Sequence, residues 1–167
     1  MIDVKPFENC VCQKMNNHLS LCKSELTLSE KGKSVTLRIR SSEEAKVLVL
    51  DGCVFMDNSS RCDGLYLYKK GNKRYALLVE LKGACDIPHG FEQLAYVKKN
   101  RQEYRQIVDH FWVEAGGVQP IEKAFLVSNG SLSKPDLETL EKQHNIRVTA
   151  ILHCEATSQI PDLRKYL

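Results

Sequence analysis

RCDGLYLYKKGNKRYALLVELKG, from Arg61 to Gly83, reads as a β-hairpin. Leu65–Tyr68 forms one arm and Tyr75–Leu81 the other. Between them lies Gly71-Asn72, suited to a tight primed turn because both positions tolerate positive φ. Counting outward from that turn sets Asp63 directly opposite Glu80, and opposed Cβ atoms in a hairpin lie roughly 4.5–5.5 Å apart. Leu65, Leu67, Ala76 and Leu78 share the face of the two acids, while Tyr66, Tyr68, Tyr75, Leu77 and Val79 take the other. Both faces are apolar, as in strands near the middle of a sheet. An ionised carboxylate in such a layer has to be paired or has to hold a metal. Lys82, two residues past Glu80, points to the same side.

Two neighbouring carboxylates suit Mg²⁺ or Mn²⁺, hard cations that take oxygen ligands, and the carbonyl of Leu81 is placed to add a third. A divalent ion there acidifies a water and polarises a phosphoryl oxygen, and an adjacent amine orients the water or stabilises developing charge. These parts add up to metal-dependent phosphodiester hydrolysis. The competing reading is an internal salt bridge, with Lys82 neutralising one acid at the end of an ordinary hairpin.

Around the hairpin the pattern is layered. Residues 8–24 are read as a helix, Ser34–Arg40 as a strand, and Lys46–Phe55 as a second strand interrupted at Asp51-Gly52. After Pro88 a helix carries Leu94, Val97, Tyr104, Val108 and Phe111 on one stripe, with Arg101 filling a gap in it. Glu122–Asn129 reads as a strand, Ser133–His144 as a helix capped by Ser133, and Ile146–His153 as a final strand. The order predicts an α/β or α+β layered domain with a mixed central sheet flanked by helices, one domain over residues 1–167.

Asp63, a hairpin, and then Glu80-Leu81-Lys82 resemble the core of the PD-(D/E)XK nuclease superfamily, which includes restriction endonucleases, Holliday-junction resolvases and RecB-type nucleases. The resemblance runs from Val35 to Val127, and the seventeen-residue interval between the acids is usual for that family. It implies a restriction-endonuclease-like core, with Asp63 and Glu80 as ligands of Mg²⁺ or Mn²⁺, Lys82 orienting the attacking water, and Gln93 on the following helix positioning water or phosphate. It also implies nucleic acid, DNA rather than RNA, as substrate. Cys62 stands where a proline often precedes the first acid. Position 97, four residues past Gln93, is valine rather than the tyrosine of RecB-like members. For the family's auxiliary acid on a first helix, Glu8, Glu25 and Glu44 all qualify by order, although Ser41 with Glu44 also makes a capping box. The alternative is a catalytically silent domain of this kind that binds nucleic acid or a protein partner, or serves as a subunit of a larger complex, with a homodimer or partner chain supplying specificity.

The 167 residues carry a formal net charge of +3, 27% charged and 43% hydrophobic residues, which tolerates a nucleic-acid partner without demanding one. Basic residues gather at Lys31, Lys33, Arg38 and Arg40, at the hairpin tip (Lys69, Lys70, Lys73, Arg74), and at Lys98, Lys99, Arg101 and Arg105. The last group is the expected nucleic-acid contact because it follows the proposed site in sequence. No apolar run reaches a membrane span, and the start MIDVKPFENC lacks the form of a secretory signal. Seven cysteines, an odd number, are expected as free thiols in a reducing cytoplasm, with Cys10, Cys12 and Cys22 around His18 as a weaker zinc alternative. Cys53 and Cys62 are expected in the core; His89 and Asp86, just past Lys82, are read as loop residues without a role, with the rim of the site as the alternative.

Overall fold

The computed structural model describes every residue except 16 and 115. Three short strands, β1 (Cys22–Ser24), β2 (Thr27–Glu30) and β3 (Lys33–Thr36), form one antiparallel sheet. The second sheet has five strands: β4 (Glu44–Val49), β5 (Gly64–Lys70), β6 (Lys73–Lys82), β7 (Ile121–Ser128) and β8 (Ala150–His153), side by side in chain order. The pairs β4–β5 and β5–β6 are antiparallel, whereas β6–β7 and β7–β8 are parallel. The helices α1 (Ile87–Asn100) and α2 (Gln102–Glu114) make the first parallel crossover, and α3 (Lys134–His144) makes the second. The fold is therefore α+β, built on a mixed five-stranded sheet.

The hairpin has the register that its turn dictates, running from Lys70 opposite Lys73 to Gly64 opposite Val79. Only Gly71 takes positive φ (54°), the pattern of a type II′ turn at its first central residue. Alternation then sorts the side chains. Leu65, Leu67, Ala76 and Leu78 pack with Phe91, Leu94, Val97, Ile107 and Phe111 of α1 and α2. Tyr66, Tyr68, Leu77 and Val79 face the three-stranded sheet through Leu28, Val35 and Leu37. A strand covered on both faces needs apolar residues throughout, which is why β6 reads as a nearly unbroken apolar run.

Several expectations change. Among the described residues of 8–24 there is no α-helix: a 3-10 turn at Glu8–Cys10 is followed by an isolated bridge at Val11, bends and a turn before β1. Two disulfides, Cys10–Cys53 and Cys12–Cys22, fasten this stretch, so those four residues are neither free thiols nor zinc ligands. Cys62, Cys85 and Cys154 remain free. The inference from an odd cysteine number to a reducing cytoplasm thereby loses its ground, since disulfides persist in oxidising surroundings. The strand expected over Ser34–Arg40 ends at Thr36, that over Lys46–Phe55 ends at Val49, and that over Ile146–His153 begins only at Ala150. The long helix after Pro88 is two helices, broken at Arg101, whose backbone is extended (φ −88°, ψ 112°). Ser133 does cap α3, its Oγ accepting from Asp136 N at 3.2 Å. Among the described residues no helix is long and apolar enough to cross a membrane.

Candidate active site

The site lies at the end of the sheet away from the hairpin tip. Asp63 immediately precedes β5, and Glu80 and Lys82 close β6. The ladder continues through side chains: Asp63 N donates to Glu80 Oε2 at 3.0 Å, and Leu81 N donates to Asp63 Oδ2 at 2.7 Å. Lys82 Nζ lies 3.2 Å from Glu80 Oε1. Each acid is therefore gripped by the other's strand, and the lysine joins them on the side of the sheet that carries α1. A Cβ at Gly90 would come within 2.4 Å of Leu126 and 3.1 Å of Lys82 Cγ, so only a bare α-carbon lets the first turn of α1 settle over Lys82.

The electrostatics are unbalanced. Asp63 and Glu80 are 5% and 3% exposed, and among the described residues the amine against them is that of Lys82. Burial is the main force raising the Asp63 carboxyl above its ordinary range; Glu30 and Asp51 add repulsion, while the Leu81 N–H and Lys82 oppose it. Glu80 is raised chiefly by burial and next by the charge of Asp63, with Lys82 opposing. Next to Asp63, Cys62 is buried and its thiol is held protonated by burial, then by the charges of Glu80 and Asp63. Two buried acids beside one amine leave an excess negative charge that a proton or a cation has to compensate.

The donor set fits a hard divalent cation. Among the described residues no hydrogen bond reaches Asp63 Oδ1, and a strand residue's N–H and C=O share one edge, so the Leu81 carbonyl faces the same side as its N–H to Asp63. A second grouping, Asp3, His110 and Glu114, brings ligand atoms within 4.8 Å of one another, but Lys69 and Arg74 of the hairpin tip share a pocket with Glu114, at the opposite end of the sheet.

Gln93 reaches the site's border. Its Nε2 donates to Arg61 O at 2.8 Å, and its Oε1 is buried without a partner. Arg61 in turn pairs with Asp51 at 3.0 Å, and Leu50 N donates to Asp63 O at 2.9 Å. The 50–63 loop thus carries Asp63 and braces Gln93 together. Glu30 and Asp51 are further acids whose charge reaches Asp63, and Asp51 registers in the sequence only as an Asp-Gly break in a strand. Glu8, Glu25 and Glu44 are not near the pair. Glu44 pairs across to Lys69 at the tip end, and Glu8 is 3.3 Å from Lys46; Glu25 shares a cleft with both Glu8 and Lys46. Asp86 immediately precedes α1 and His89 lies in its first turn, with His89 Nδ1 3.1 Å from Glu92.

The basic residues are redistributed. Because α1 runs antiparallel to β6, it carries Lys98 and Lys99 away from the acids. Lys98 lines a cleft with Ile121 and Lys123 at the start of β7, whereas Lys82 pairs with Ser128 at the strand's end. Seven residues of strand separate those ends, roughly 23 Å. Lys99 donates to His144 O, at the end of α3. Arg101 is 6% exposed, with its guanidinium 4.0 Å above the Phe55 ring and 2.7 Å from Asp57. Lys98, Lys99 and Arg101, expected to contact nucleic acid because they follow Lys82 in sequence, do not converge on the acids: helix direction carries the two lysines toward the other end of the sheet, and Arg101 is buried. At the site end, the β2–β3 turn (Lys31-Gly32, both with positive φ) lies against Ala156, and Ser34 N donates to Cys154 Sγ at 3.3 Å. Lys31 and Lys33 therefore flank the end of β8, whose His153 pairs with Ser128. Arg38 and Arg40 are at the opposite end, where Arg164 grips Arg38 O and Glu43.

No family model, no curated protein and no solved structure matches the chain.

Proposed function

We propose that the chain is a divalent-cation-dependent nuclease with a PD-(D/E)XK-type core, acting on DNA in preference to RNA on the strength of that resemblance. The observation that carries the reading is the convergence of Asp63, Glu80 and Lys82, acids nearly fully buried, on the helix-facing side of a sheet whose antiparallel meander passes into parallel strands. Asp63, Glu80 and the Leu81 carbonyl are the groups that would hold Mg²⁺ or Mn²⁺, which supplies charge stabilisation and acidifies water at a phosphodiester.

The chain's own residues do the rest. Lys82, anchored on Glu80, presents its remaining ammonium protons to the attacking water and to the phosphoryl oxygens, where charge develops. Gln93 offers a buried carbonyl acceptor for that water's proton while its amide is locked on Arg61. Gly90 keeps the roof close, so water is limited over the amine. Lys31 and Lys33 supply positive charge for the backbone on the approach to the site.

A second reading, a silent domain that binds nucleic acid or a partner chain, is favoured by one observation: the Lys82–Glu80 ion pair already neutralises one acid. Incubation of the purified chain with single-stranded, duplex and branched substrates in Mn²⁺ separates the two. The nuclease reading expects cleavage that EDTA and Glu80→Ala each abolish; cleavage retained by Glu80→Ala, or none on any substrate, overturns it.

A further inference from the structure

The N-terminal segment and α2 meet at a side-chain cluster that the proposed chemistry does not use. His110 and Glu114 are four residues apart on α2, so they share one helix face. Asp3 comes to them from the N-terminal segment. Its neighbours Ile2 and Val4 are 2% and 1% exposed and belong to the core that holds Ile107 and Phe111, so Asp3 is fixed between two buried anchors. Asp3 N donates to the Glu114 carboxylate at 3.1 Å, and Lys5 N donates to Asp3 Oδ1 at 3.0 Å. Asp3 Oδ2 is left for His110 Nε2, 3.5 Å away.

That nitrogen points to a ligand. The imidazole ring is half-exposed, but Nε2 is itself shut from solvent and has no hydrogen-bond partner; it stands beside Asp3 without the geometry of a hydrogen bond. A buried polar atom left in this way costs free energy unless something satisfies it. Two carboxylates and a neutral imidazole balance the charge of a divalent ion and match the donor types of zinc. With bonds of about 2.0–2.1 Å, tetrahedral zinc sets its ligand atoms roughly 3.3–3.4 Å apart, close to the 3.5 Å between Asp3 and His110. All three ligand atoms lie within 4.8 Å of one another, and Glu114, the exposed member, can turn its carboxyl to take up the remainder.

The surroundings do not supply the balancing charge. Lys69 and Arg74 border the same pocket as Glu114, yet Arg74 donates to Gly71 O and Lys73 O of its own turn, and among the described residues neither forms an ion pair with the cluster. The imidazole also sets the choice of metal, since nitrogen ligands favour Zn²⁺ over Mg²⁺ and Mn²⁺, which prefer all-oxygen shells.

We infer that Asp3, His110 and Glu114 bind Zn²⁺, with water in the fourth position, and that the ion clasps the N-terminal segment to α2. The site stands independently of the nuclease reading, because it lies at the opposite end of the sheet from Asp63 and Glu80. The test titrates Zn²⁺ into the tag-free full chain by calorimetry. A site is expected that binds Zn²⁺ at least about tenfold more tightly than Mn²⁺. Zn²⁺ at about a hundredfold over its Kd should raise the Tm by several degrees. His110→Ala and, separately, Glu114→Gln should each weaken the site at least about tenfold and remove the gain in Tm, whereas Glu80→Gln should leave both. Should His110→Ala lower the metal-free Tm, Glu114→Gln, on an exposed side chain, decides. No Zn²⁺ binding, binding no tighter than that of Mn²⁺, or binding that survives both substitutions overturns the site. Zn²⁺ binding that Glu80→Gln alone abolishes overturns it too, by placing the ion at the other end of the sheet.

Discussion

The two ends of one hairpin carry the same residue types in opposite circumstances. At the tip, Lys70 faces Lys73 and Lys69 faces Arg74; like charges are paired across the strands, yet Lys70 and Lys73 stand in water and Lys69 and Arg74 are only half-buried, so their repulsion is dispersed. At the base, Asp63 faces Glu80, equally alike in charge, and both are buried. Screening makes the first arrangement nearly free, while desolvation makes the second costly. Charge pattern alone therefore says little about function. A like-charged pair that the fold keeps out of water is what motivates the proposed cation.

The largest effect expected from this contrast is catalytic. Asp63→Ala, Glu80→Ala and Lys82→Ala should each lower Mn²⁺-dependent cleavage at least about a thousandfold, read from initial rates on the best substrate of the panel. Lys70→Gln with Lys73→Gln at the tip should leave the rate within about twofold. Comparable losses at the two ends would erase the distinction.

Next in size is the disulfide that holds the loop between β4 and Asp63. Cys10–Cys53 closes 43 residues of chain, and its loss should cost about 2–4 kcal/mol, a drop in Tm of several degrees. Calorimetry of the Cys10→Ser, Cys53→Ser double variant against the unaltered chain measures it. An unchanged Tm would mean the bond contributes nothing to the fold.

Protonation sharpens the comparison further. Both acids at the base have folded-state affinities for protons raised by burial and then by neighbouring acids. The folded chain thus binds more protons than the unfolded one above the ordinary carboxylate range near pH 4. Metal-free stability should therefore fall as pH rises from about 4 through neutrality, and Mn²⁺ affinity should rise over the same interval because the ion displaces protons. Glu80→Gln should flatten the metal-free profile and remove the gain in Tm from Mn²⁺. A metal-free stability that instead rises across this window would mean the acids are ionised and satisfied without an ion.

The smallest effect concerns affinity for the backbone of nucleic acid. Lys31→Ala with Lys33→Ala should weaken binding and lower the slope of log K against log salt by about one for each phosphate no longer neutralised, whereas Lys98→Ala with Lys99→Ala should do neither. The reverse result would place the substrate at the far end of the sheet.

What can be read from the residues depends on how local its cause is. The turn at Gly71-Asn72 sets the hairpin register, so the opposition of Asp63 and Glu80 and the side taken by Lys82 are legible from spacing alone. The parallel strands are legible too, because helical and apolar-run patterns alternate after Pro88. The N-terminal region is not: its order comes from two disulfides and a docked second sheet, neither of which leaves a periodic trace. Arg101 misleads because a charged residue in an apolar stripe looks like a surface intrusion. Its place is set by Phe55 and Asp57, more than forty positions away in sequence. The distance of Lys98 and Lys99 from the acids is not legible either, because nearness to Lys82 in sequence is not nearness in space, and a 14-residue helix spans about 21 Å. Asp51 carries no signal beyond a turn dipeptide.

The central claim is that a doubly charged cation belongs between Asp63 and Glu80. Crystals soaked in Mn²⁺ and measured at the manganese absorption edge test it most directly. The account predicts an anomalous peak bounded by those two carboxylates and the Leu81 carbonyl. A peak confined to Asp3, His110 and Glu114, or none anywhere, would contradict it.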